Sequence, residues 1–419
     1  MSISGSMLVA GGAMDTYGNT IAVAGDNIAN FNTVGFKASR FTLEDLFPTV
    51  DGSIEVGDGV RLADVSKPFR QGAFETTSNV TDLAIGGNGY FVVRNDATNA
   101  LYYTRAGQFH VDNAGRLVNE SDLILQGSAG DITVGTSPTV PAQATTSIAL
   151  ELNLDAGAAP PPVSFPAGPD ASASDWVSAS NFSSLATIYD SLGSTHDLTF
   201  LYRHVAPNTW EYRVAAARSE LDATAPNSNE LREVSAPGTL VFTPAGQLDS
   251  SLSTLTDISG LNWVNGASQT IAAGSLSFAG TVQYAQPTFL SSISQDGFAQ
   301  GSLVSLSIDP QGLITGRFSN GINQGLGAIV LANFANVDDL NPIGDTLFAP
   351  TLKSGAALTG VPDQNGLGSI VSGALELSTV ELTDQFVSLI TSQRSFQANS
   401  RVVTTADQMY AIAAELKPL

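Results

Sequence analysis

Apolar residues recur at every seventh position in two stretches, one near each end of the chain. Met7, Met14, Ile21 and Ile28 form the first stripe; Leu382, Leu389, Phe396, Val403 and Tyr410 form the second. A helix wound at about 3.5 residues per turn keeps such a stripe on one side, so each end is predicted to be a helix seeking a partner helix. No comparable run occurs between them. There the pattern is short alternating or apolar runs, at 60–65, 82–85, 90–93, 198–202 and 303–308. Turn chemistry separates them, as in Asp112-Asn113-Ala114-Gly115, Asp309-Pro310-Gln311-Gly312 and Ser319-Asn320-Gly321. Runs of this kind read as antiparallel strands, and the strand–helix alternation of parallel α/β folds is missing.

The first helix, over about residues 6–30, is periodic but poor in propensity. Gly11, Gly12, Gly18 and Gly25 each cost ~1 kcal/mol relative to alanine. The small residues Ala10, Ala22, Ala24 and Ala29 allow close approach of another helix. The expectation is a helix that is weak alone and ordered by packing. The second helix is better specified: Ser378 and Glu381 have the spacing of a capping box, with Leu377 and Leu382 placed to staple it. It is predicted to run from 379 to about 416, roughly 55 Å, with Lys417 at its negative end and Pro418 beyond.

Residues 156–175 carry Pro160, Pro161, Pro162, Pro166 and Pro169 among small residues and read as a boundary into a separate β unit that returns near 286–287. Trp176, Trp210 and Trp263 lie within that unit. The predicted fold class is multi-domain: an α-helical coiled-coil terminal layer plus antiparallel all-β sandwich or barrel domains, one inserted in the other. The expected domains are 1–35 with 376–419 (helical), 36–152 with 285–375 (middle β), and 153–284 (inserted outer β).

Composition removes several function classes. The net charge of -22 repels phosphate backbones and anionic lipid, which argues against nucleic-acid and membrane-surface roles. The absence of cysteine removes disulfides, thiolate metal sites and cysteine nucleophiles. The first basic residue is Lys37, so no secretory signal peptide is read, and no run of 18 apolar residues is present. Export would need a route that does not read a cleavable hydrophobic signal; a cytoplasmic location is the alternative.

Catalysis finds little support. His204 shares a strand face with Leu198, Phe200 and Tyr202 and reads as a satisfied core histidine; His110 sits in no motif. His196, beside Asp197, has no nucleophile elbow near it. No phosphate-binding or dinucleotide fingerprint occurs, and Asp338-Asp339-Leu340-Asn341 lacks the spacing of a calcium loop and reads as a turn. No catalytic, cofactor-binding or metal-ligating residue is expected.

The segment Asp26-Asn27-Ile28-Ala29-Asn30-Phe31-Asn32-Thr33-Val34-Gly35-Phe36-Lys37 resembles the N-terminal signature of the bacterial flagellar rod and hook proteins. Gln393-Arg394-Ser395-Phe396-Gln397-Ala398-Asn399-Ser400-Arg401 resembles that family's C-terminal motif. Asp82 to Phe91, Tyr103-Thr104-Arg105-Ala106-Gly107, Phe318 to Gly321, Leu331 to Asn336 and Ser372-Gly373-Ala374-Leu375-Glu376 are family-like as well. Only about residues 150–285 are unmatched. The motif residues carried over are Asn27, Ala29, Asn30, Asn32, Thr33, Gly35, Phe36, Gln393, Arg394, Gln397 and Asn399. Length and the insertion fit the hook-type members of the family better than the shorter distal rod type.

The resemblance implies a structural subunit, not an enzyme: a curved tubular polymer acting as a universal joint between rod and filament. It implies self-association, with the distal rod protein, a hook cap protein and a hook–filament junction protein as partners. It also implies export unfolded through the flagellar type III apparatus to the cell exterior. A rod-type protein with an insertion and a secreted β-rich adhesin are the alternatives; the adhesin leaves both stripes unexplained. On the residues themselves, Gly35 is expected to adopt positive φ after the first helix, and Asn30 and Asn32 to satisfy its frayed end. Arg394 and Arg401, seven apart, would share a face and reach Asp15 or Asp26 of a neighbouring helix, or lie in solvent.

Overall fold

The computed structural model has four α-helices among the described residues, α1 (Ile3–Ala29), α2 (Ala173–Ser178), α3 (Arg218–Leu221) and α4 (Leu382–Glu415). Residues 3–46, 49–51, 54–135, 139–225 and 229–415 are described. The long helices stand at the two ends of the chain and short strands fill the interval. At 34 residues α4 is about 51 Å long. It begins at Leu382, later than the expected 379. The reason is local: Ser378 Oγ accepts from the Val380 amide at 3.3 Å, and Thr379 Oγ1 accepts from the Ala38 amide at 3.0 Å. Both hydroxyls serve the chain leaving α1 or a tight turn, so the capping box does not form. The expected end of this helix near Leu416, with Lys417 and Pro418, lies outside the described residues.

The chain divides into two units, Met1–Pro138 with Val304–Arg317 and Asn323–Leu419, and Thr139–Leu303 with Phe318–Ile322. In the first, the centre is an antiparallel sheet in which Tyr90–Arg94 pairs with Leu101–Thr104, Ile124–Gly127 and Leu331–Asn333. Its core is aromatic: Tyr90, Tyr103, Phe334 and Phe348 meet edge to face, Tyr103 and Phe334 at 4.8 Å between centroids. Four two-stranded ladders lie outside that sheet among the described residues: Arg40–Asp45 with Val60–Ser66, Thr49–Asp51 with Ile54–Val56, Leu83–Gly86 with Ser369–Ser372, and Phe74–Thr76 with Ala374–Glu376. The last brings the approach to α4 beside the chain that follows α1.

In the second unit, strands Phe182–Tyr189, Thr195–Ala206 and Thr209–Ala217 form an antiparallel meander. Alternate residues Leu198, Phe200 and Tyr202 face Trp210, Tyr212 and Val214 in one core, as the two-residue period of a strand requires. Trp176 on α2 covers the opposite face over Leu201 and Ala215. A second sheet departs from purely antiparallel pairing: Ile148–Asp155 runs parallel to Leu276–Ser277 and Val282–Tyr284 and antiparallel to Phe289–Gln295. Ile148, Leu150, Leu152 and Leu154 thereby join the same core.

Candidate assembly interface

α1 and α4 pack antiparallel along their length. Thr20 Oγ1 donates to Ser392 Oγ at 2.9 Å, and Asn27 Nδ2 to Gln385 Oε1 at 2.9 Å. On α4 the covered positions include Leu382, Gln385, Leu389, Ser392, Phe396, Asn399, Val403 and Ala406, at the alternating three–four spacing of a coiled-coil seam, with Ser388, Ser395 and Ser400 half-buried beside them. The apolar stripe Leu382, Leu389, Phe396 and Val403 read from the sequence is one half of that seam, each residue half-buried. Tyr410, which continues the beat, is exposed.

On α1 the buried positions are Ala10, Ala13, Thr16, Thr20, Ala24 and Asn27. Met7, Met14, Ile21 and Ile28 are one position further round and half-buried. The structure therefore sets the α4 stripe against small and polar residues of α1, with the larger apolar stripe along the flank. Small residues let the helices approach closely, and the two polar pairs fix their register. The signal was present in the sequence: Ala13, Thr20 and Asn27 also recur every seven. Thr16 belongs to a second contact, its hydroxyl lying 3.1 Å from the Val60 carbonyl on the ladder beside α1.

The remaining motif residues divide by face. Asn27 is buried and donates also to Ser39 O at 2.8 Å, while Ser39 N returns a bond to Asn27 Oδ1 at 2.8 Å. Asn30 Nδ2 donates to Asp26 O at 3.0 Å, a second bond to a last-turn carbonyl that the Asn30 amide also reaches at 3.1 Å; Thr33 Oγ1 lies 3.1 Å from Asn30 Oδ1. Ala29 and Asn32 are exposed. Gly35 has φ +71, and Phe36 beneath it is buried. On α4, Gln393, Arg394, Gln397 and Arg401 face solvent, Asn399 is half-buried, and among the described residues neither arginine has an acidic partner within the chain.

A feature that the motifs did not disclose joins them. Lys37 Nζ donates to Glu376 Oε1 at 2.6 Å and to Arg70 O at 2.7 Å. Arg105 Nη1 is 3.3 Å from Glu376 Oε2, and its Nη2 donates to Gly87 O at 2.8 Å, with the guanidinium over the Tyr90 ring. The Glu376 and Lys37 side chains are 0% and 1% exposed. Burial pulls the Lys37 ammonium below the usual lysine range, against the opposing pull of Glu376. Each of these ions sits in a different family-like segment.

The histidines find structural surroundings. His196 lies between Glu220 Oε2 (Nδ1, 2.7 Å) and Asp190 Oδ2 (Nε2, 3.1 Å), stacked on Trp263 with 3.6 Å between centroids. Both its nitrogens are engaged, which ties α3 to two turns of the second unit. His204 is buried against Trp210, but among the described residues neither ring nitrogen has a partner, so it is not the satisfied core histidine expected.

Four family models match the chain in order: flagellar basal body rod protein (7–37), flagellar hook protein FlgE/F/G D1 domain (84–152), flagellar basal body protein FlaE D2 domain (153–298) and flagellar basal body rod FlgEFG protein C-terminal (371–416). The flagellar hook protein FlgE of Salmonella typhimurium is 35% identical over 94% of this chain and 96% of its own length. That of Treponema pallidum is 31% identical, covering 96% and 97%. In fold, the chain is similar to the Helicobacter pylori flagellar hook protein FlgE2, with a TM-score of 0.53 at 14% identity over 72% of this chain and 100% of that one.

Proposed function

The chain belongs to the flagellar hook protein family, and on that premise we propose that it is the structural subunit of a bacterial flagellar hook, forming a curved tube that transmits torque from rod to filament. One observation carries the reading. Pairing with α1 covers only one side of α4: Phe386, Val387, Ile390, Val402, Met409, Tyr410 and Ile412 remain exposed. Apolar surface of that extent along one helix marks an interaction site. Neighbouring copies cover it, and the half-covered Met7, Met14, Ile21 and Ile28 join the same contacts. Arg394 and Arg401 are placed to meet Asp15 or Asp26 of an adjacent copy.

In this reading residues 1–35 with 376–419 line the channel, 36–152 with 285–375 form the middle layer, and 153–284 form the outer layer that selects curvature. The subunit is exported unfolded through the flagellar type III apparatus, without a cleaved signal. Outside the cell it meets the distal rod protein, the cap and the hook–filament junction protein.

Electron microscopy of purified protein tests the assembly. The wild-type chain is expected to form short curved tubes. Ile390→Asp places a charge on a residue that is exposed in the single subunit, so the fold should be unchanged by circular dichroism while tubes are lost. Burying that carboxylate unpaired between copies costs several kcal/mol. Leu389→Asp should lose tubes too, by opening the α1–α4 seam. Normal tubes from Ile390→Asp refute the interface.

A further inference from the structure

Both links between the helices and the β region pass through one buried ionic site. Gly35 N donates to Glu376 O at 2.7 Å, and Thr379 N donates to Phe36 O at 3.1 Å, so the chain leaving α1 is bonded to the chain approaching α4. Inside that crossing, Glu376 Oε1 accepts hydrogen bonds from Lys37 Nζ and from the Gly72 amide, the latter at 2.8 Å, and Oε2 faces Arg105. A carboxylate with no exposed surface is tolerated only when its lone pairs are used and its charge is met. Here both conditions hold, and removing the anion would leave two buried cations facing one another.

We propose that Glu376 is a positioning residue for assembly: its carboxylate sets the directions in which the chain leaves α1 and enters α4, and so the register in which the two helices meet. The side chain has no exposed surface, so it acts without touching another copy.

The absence of cysteine makes a direct register assay available. The Thr20 and Ser392 hydroxyl oxygens are 2.9 Å apart, so a full-length chain carrying Thr20→Cys and Ser392→Cys reports register as the rate of disulfide closure in dilute monomer under mild oxidant. Glu376→Gln is expected to slow closure at least tenfold. Glu44→Gln, which breaks the exposed ion pair with Arg61, should leave the rate unchanged. Lys37→Met keeps Glu376 bonded to Arg105 and Gly72, and is expected to slow closure at least threefold with an unchanged circular dichroism spectrum. It decides the matter if Glu376→Gln does not fold. Unchanged closure in folded Glu376→Gln, or in Lys37→Met, overturns the proposal. Tube formation is a further readout that rests on the proposed function. A wild-type chain that makes no tubes counts against that function, whereas normal closure and normal tubes in Glu376→Gln count against the positioning role alone.

Discussion

At the scale of the residue, Gly35 shows how one backbone angle is made necessary. Its φ is +71, and a Cβ built there would lie 2.6 Å from the Ala106 amide nitrogen. Gly35→Ala therefore meets both the left-handed penalty of an L-residue and a backbone collision. It should cost more than about 2 kcal/mol in urea unfolding followed by Tyr90-region amide exchange. Asp190 offers a second test. Burial pushes its carboxyl up, but bonds from Asn265, His196 and the Ser194 and Leu192 amides together outweigh that and hold it below the usual carboxylate range. A carboxyl lowered by folding contributes stability above its ordinary value of 3.8, and that contribution is lost as pH falls through the lowered folded value. Wild-type protein should therefore lose melting temperature below about pH 4 more steeply than Asp190→Asn, as acid melts read by Trp263 fluorescence would show.

Among the elements, α1 and α4 pair through alanine, threonine and asparagine on the α1 side, which buries little apolar area. The pair should be weaker than either β unit in dilute monomer. Amide exchange in that monomer is expected to be faster over 3–29 and 382–415 than at Phe200 and Val92, while the two helices stay paired. Strong protection of both helices in a verified monomer would contradict this. The glycines of α1 sharpen the point. A Cβ at Gly11, Gly18 or Gly25 meets nothing within 4 Å, so their helix cost is not offset by packing inside the subunit. Gly18→Ala should strengthen α1 by ~1 kcal/mol, seen as roughly fivefold slower exchange of its amides.

For the whole molecule, the net charge of -22 opposes bringing copies together. Tube growth should accelerate as salt rises from about 0.01 M to about 0.15 M, where the screening length falls from about 30 to about 8 Å. The second unit sets a condition on deletion experiments. Ile148, Leu150, Leu152 and Leu154 precede the proline-rich stretch yet share a core with Trp210 and Phe278. Joining 155 to 284 would bare those four residues, so a curvature test is better made by removing the unit from 139 onward.

The sequence by itself determined the elements whose cause is local. Two seven-residue stripes specified terminal helices, two-residue alternation specified strands such as Thr195–Ala206, and Asp309-Pro310-Gln311-Gly312 specified a turn, in which Gly312 has φ +80. It also carried the resemblance to the flagellar rod and hook proteins that the family matches bear out. The tertiary structure alone decided which face of α1 is covered, because Met14 and Ala13 both recur every seven and only α4 chooses between them. It decided that Thr379 serves the crossing to the chain after α1 and takes no part in a helix cap. Likewise it placed Lys37, Arg105 and Glu376 together, and His196 between Asp190 and Glu220. In each case the partner lies on another element, up to hundreds of positions away, and no period or spacing in the chain encodes a meeting that depends on how the elements fold back.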